Sequence, residues 1–116
     1  MSNELLIKHC LPCEGGIPAL DKEAALNFLK KLDQWELSSD AKQIIRNFEF
    51  KDYYRTIAFV NAIAWIAHYE GHHPDLEVHY DRCKVRYNTH AVNGLTENDF
   101  ICAAKIDALF KTHNPI

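Results

Sequence analysis

Three histidines and an aspartate lie within one stretch of this chain. His72 and His73 are adjacent and run into Pro74, Tyr80 follows, then the pair Thr89-His90, then Gly94-Leu95-Thr96 and Asp99. Histidine has an unperturbed pKa of about 6.5, so near neutral pH it can both give and take a proton. Two histidines at the end of an apolar helix, with a third in a later loop, suggest a pocket that moves protons. Asp99 can orient one imidazole and stabilise its protonated form. It also stands third after Thr96, in the position of a helix-capping acid, and the two roles are compatible. Any one histidine near a helix end is more often a partner for the helix dipole or a surface residue. It is the joint pattern that argues for chemistry, and His9, His79 and His113 have no place in it.

The elements that must position these residues can be read from spacing. Helix one is expected from about Asp21 to Leu32, with Asp21 as its cap and Ala25, Leu26, Leu29 and Leu32 on one face. A short strand is expected around Trp35 to Leu37. A second covers residues 44 to 50, where Ile44, Phe48 and Phe50 share a parity with Arg46 between them. Helix two is expected from Tyr53 to Glu70, with Asp52 as cap and Gly71 as its end. From Ile57 to Ala67 it is apolar almost all round, which predicts burial on more than one side, including a self-interface. Strands from Leu76 to Tyr80 and from Cys83 to Asn88 follow, joined by a turn at Asp81-Arg82. A last helix runs from about Thr96 to Lys111. The order α-β-β-α-β-β-α predicts a two-layer α+β domain, a four-stranded antiparallel sheet with three helices on one face. Residues 1–20 read as a lead-in, with turn signals at Gly15-Gly16 and Pro18, and residues 21–113 as one domain.

Composition narrows the function classes. A chain of 116 residues with 47% hydrophobic content fits one domain with a real core. A net charge of -3 gives no electrostatic footprint for nucleic acid or an anionic membrane. No basic, apolar leader and no spanning segment is expected, so the cytoplasm is the default compartment. Cys10, Cys13, Cys83 and Cys102 then read as reduced thiols. Cys10-Leu11-Pro12-Cys13 looks like half a zinc or redox motif, but it lacks the second cysteine pair and the βαβ setting those need. His68 and His72, four apart on one helix, could chelate a metal with His73 or His90. Tyr69, however, stands where a zinc protease carries glutamate, and no metal is expected.

The pattern His68, His72-His73-Pro74, Tyr80, Thr89-His90, Gly94-Leu95-Thr96 and Asp99, with a Cys-Pro-Cys-Glu-Gly-Gly-like lead-in, resembles the pterin-4a-carbinolamine dehydratases. The resemblance implies the same α+β fold and loss of water from a 4a-hydroxytetrahydropterin, with no metal or redox cofactor. It implies His72 and His90 as opposing acid and base, His73 as a pterin-holding and protonating group, and Asp99, Tyr80, Thr89 and Pro74 as support. His68 stands where many members carry a carboxylate, and when protonated it is expected to lower the pKa of His72. A homodimer or homotetramer is implied, as is a link to an aromatic amino acid hydroxylase such as phenylalanine hydroxylase. A non-catalytic dimerisation or transcription-cofactor module is the alternative.

Overall fold

Polar caps set the helix ends in the computed structural model, which describes residues 4–11 and 18–113. Helix α1 (Lys22–Leu29) starts at Asp21, whose side chain accepts from the Ala24 amide at 2.8 Å. It stops short of the expected Leu32, because the Lys31 and Leu32 amides bond three residues back in a tighter turn. Helix α2 (Tyr53–Glu70) begins at Asp52 and ends at Gly71, which takes the left-handed conformation at φ +66 that a side chain resists. Helix α3 spans Glu97–His113.

The strands β1 (Glu36–Leu37), β2 (Ile44–Glu49), β3 (Asp75–Val78) and β4 (Arg82–Tyr87) form one antiparallel sheet in the order β1-β2-β4-β3. This is the four-stranded, three-helix α+β fold expected from the sequence. Strand β3 ends at Val78, short of Tyr80, because the His79 amide already bonds across the turn to Arg82 O at 2.9 Å.

Alternation along the strands selects the core face. Ile44, Arg46 and Phe48 of β2 and Cys83, Val85 and Tyr87 of β4 are buried under the helices. Helix α3 buries seven consecutive residues, Asn98 to Ala104, because residues 4–11 pack on a side of it that the other elements leave open. Leu5 in that segment is fully buried, in a short 3₁₀ turn (Glu4–Ile7). The Gly15-Gly16 turn and Cys13 lie outside the described residues.

Within one chain, helix α2 shows only part of the burial expected of it. It buries Thr56, Phe59, Ile63 and Ala67 on one face, while Tyr54, Trp65 and Tyr69 stand more than half exposed on another. Within one chain only one face of this helix has something to pack on. Among the described residues, no helix is long and apolar enough to cross a membrane.

Candidate functional site

The end of α2 aims the first histidine. Past Gly71 the chain turns back, with the His72 amide bonded to Ala67 O at 3.1 Å. The His72 ring stacks on Tyr87 of β4, centroids 5.4 Å apart and planes 18° from parallel. Its Nε2 meets Asp99 Oδ1 at 2.6 Å. Asp99, fully buried in the first turn of α3, accepts at its other oxygen from Thr89 Oγ1 (2.8 Å) and the Thr96 amide (3.0 Å). One carboxylate therefore caps a helix and braces a histidine.

Burial is the largest single influence on His72 and pulls its pKa down. The hydrogen bond and charge of Asp99 outweigh it, with help from Cys102, and hold the pKa above the ordinary value. With Nε2 committed to the carboxylate, Nδ1 is the nitrogen left for a ligand.

A second device presents His90. Thr89 and Gly94 pair across a tight loop, with Thr89 N bonded to Gly94 O at 2.7 Å. His90 begins the 3₁₀ turn between them and is exposed. Gly94 is needed because a Cβ there would come within 2.7 Å of the Ala19 Cβ. Thr89 is buried and ties this loop to Asp99.

His72, His73, Thr89 and His90 meet in one open cleft of about 410 Å³. Cys10, Leu11 and Asn98, with Glu70 and Gly71 at the end of α2, form part of the rest of its wall, beside Asn88 and Ala91. His73 also lines a neighbouring apolar groove with His68 and Pro74. His68 is exposed, stays in that groove beside Trp65, and is not among the influences on His72. The coupling expected between His68 and His72 thus has no contact behind it. Tyr80 does not reach the cleft. It is exposed beyond the end of β3 and stacks on Tyr53 at 6.4 Å.

Three groups escaped the sequence reading. Glu70 and Asn98 are buried polar side chains in the cleft wall, and Cys10 Sγ lies 3.5 Å from Cys102 Sγ. The only sequence signal for Glu70 was an acid at the C-terminal end of a helix, where the dipole disfavours it. Among the described residues no three His, Cys, Asp or Glu side chains gather as a metal site.

That fold and cleft define a small α+β domain with a carboxylate-braced histidine in the wall of an open cleft. The family profile described as "Pterin 4 alpha carbinolamine dehydratase" matches residues 18–109, and the chain belongs to that family. A protein of Nitrosomonas europaea with the provisional name pterin-4-alpha-carbinolamine dehydratase is 57% identical over 110 residues, covering 94% of this chain and 96% of its own. A Legionella pneumophila protein of the same provisional name is also 57% identical, with 94% and 97% covered. Among solved structures, a transcriptional coactivator/pterin dehydratase from Brucella melitensis superposes with a TM-score of 0.75. It shows 33% identity over 78% of this chain and 97% of its own.

Proposed function

We propose that this protein dehydrates a 4a-hydroxytetrahydropterin to the quinonoid dihydropterin by histidine acid–base catalysis. The observation that carries the reading is the His72–Asp99 pair at 2.6 Å, at the edge of a cleft that His73 and His90 also line. In this reaction the hydroxyl on carbon 4a is protonated and leaves as water. The lone pair on nitrogen 5 closes the new double bond, and that nitrogen gives up its proton. Both proton movements suit imidazoles, and each positioned group contributes roughly 10²–10⁴-fold. His72 serves as one partner, and Asp99 steadies its imidazolium. His90, across the cleft, serves as the other. His73 holds the pterin and assists protonation. The residues supply this chemistry themselves, without metal or redox cofactor.

The substrate points to its source. A 4a-hydroxypterin is left behind when a pterin-dependent hydroxylase has used oxygen, so an aromatic amino acid hydroxylase, such as phenylalanine hydroxylase, is the expected supplier, and the compartment is the cytoplasm. The exposed Tyr54, Trp65 and Tyr69 on α2 and the free edge of β3 support assembly into a homodimer or homotetramer. The same exposed aromatics favour, as a second reading, a binding module that acts through α2.

The test is the dehydration rate in metal-free buffer for the wild type, His72→Ala and His90→Ala. Turnover by the wild type and losses of roughly 10²–10⁴-fold in both variants, with folding intact, are expected. A folded wild type that binds pterin without turning it over would move the reading to the binding module.

A further inference from the structure

Residues 8–11 form a strap across the end of α2 and the start of α3, and buried polar groups hold it there. Glu70 is the costly one. Its side chain is only 2% exposed, and it sits where both burial and the helix dipole disfavour a carboxylate. Burial is the strongest single pull on its pKa, upward. The Cys10 amide, the His9 ring and the Lys105 charge together outweigh it and keep Glu70 below the ordinary value. Oε1 accepts from the Cys10 amide at 2.7 Å, and Oε2 meets His9 Nδ1 at 3.0 Å.

Asn98 completes the hold. Its Oδ1 accepts from the Leu11 amide at 3.1 Å and its Nδ2 donates to Leu11 O at 2.7 Å, so one side chain takes both backbone groups of Leu11. Cys10 Sγ adds contacts to Cys102 Sγ at 3.5 Å and Asn98 O at 3.6 Å.

The result is an anchored backbone carrying an unused apolar side chain. Leu11 is 74% exposed and lies on the wall of the cleft that holds His72, His73 and His90. A pterin is a flat ring system whose polar edge needs hydrogen bonds and whose face needs apolar cover. A side chain on a backbone already anchored at the cleft wall supplies that cover with less ordering cost when the ligand arrives.

We propose that Leu11 binds the face of the pterin ring, and that Glu70 and Asn98 are positioning residues that hold it in place. This rests on the dehydratase reading and adds a substrate contact from the N-terminal strap.

The experiment uses the full chain. Dehydration kinetics and equilibrium binding of a 7,8-dihydropterin are measured for wild type, Leu11→Ala, Glu70→Ala, Glu70→Gln and the Leu11→Ala/Glu70→Ala double variant. Leu11→Ala is expected to raise Kd and KM by about 10-fold, the worth of losing most of a buried leucine side chain, with kcat moving less than KM. Glu70→Ala should do the same. Glu70→Gln should recover part of the affinity, because its amide oxygen still accepts from Cys10. The double variant should bind no worse than the weaker single, since both act through one contact.

Unchanged Kd and KM in Leu11→Ala overturn the proposal while leaving the dehydratase reading intact. Additive losses in the double variant overturn the link between Glu70 and Leu11, as does a Glu70→Ala variant that melts earlier yet binds normally. A wild type that neither binds nor turns over the pterin overturns both readings together.

Discussion

Helix α3 carries two inward-facing carboxylates, Asp99 in its first turn and Asp107 further along. Each is fully used. Asp99 takes His72 Nε2, Thr89 Oγ1 and the Thr96 amide. Asp107 takes Arg46 Nη1 and Trp35 Nε1, both at 2.7 Å, and the Asp33 amide at 3.0 Å. Partner counts and distances do not separate them. The partner's chemistry does. Arg46 is charged at every working pH and lies buried against Phe48, its guanidinium 4.2 Å from the ring centre. That pair can only hold the sheet to the helix. An imidazole changes charge far more readily than a guanidinium, Asp99 holds the His72 pKa above its ordinary value, and His72 lines a cleft, so the same kind of contact suits the proton handling proposed for it. A buried carboxylate is a candidate for function when its partner can change charge and can be reached.

The sharpest way to break this comparison is Asp107→Ala. It leaves the Arg46 charge buried without its carboxylate and should cost about 3–5 kcal/mol in denaturant unfolding. The remaining folded molecules should keep their dehydration rate. A rate that collapses in still-folded protein would mean Asp107 is no mere strut. Next comes Asp99→Asn, which keeps an acceptor for the Thr96 amide but removes the charge facing His72. Burial then dominates, so the His72 pKa should fall, and any limb of the pH–rate profile that needs protonated His72 should move to lower pH. A drop in kcat of about 10² is expected, and an unmoved profile would detach Asp99 from the proton chemistry.

The smallest effect is on stability. The His72 pKa is raised by folding, so the stabilisation it contributes is complete below its unfolded value of about 6.5 and is lost as pH rises through the higher folded value. Melting of the wild type from pH 6 upward should show this loss, and the Asp99→Asn variant should lack it.

How much of this was legible depended on the distance over which each contact acts. Helix α2 was readable to the residue, because Asp52 and Gly71 mark its ends through bonds three to five positions away. His72, Thr89, His90 and Asp99 could be picked out as a set because they share one stretch of chain. Arg46 was placed on the core parity of β2, yet its partner Asp107 lies 61 positions on, where no periodic signal connects them. Glu70, Asn98 and the strap were missed for the same reason. Tyr80 kept the strand parity on paper, but the turn back to Arg82 took it off the sheet.

The strap has a further consequence, for the order in which the molecule is made. Leu11 meets Asn98 across 87 positions, and Cys10 meets Cys102 across 92. Closing so long a loop costs little more than closing a moderate one, but contacts between distant parts of a chain form late. On the ribosome, residues 8–11 emerge well before either helix that holds them, and Glu70 of α2 becomes available before Asn98 and Cys102 of α3 complete the hold. A growing chain therefore carries His72, His73 and His90 before it carries Asp99, the carboxylate that braces the first of them.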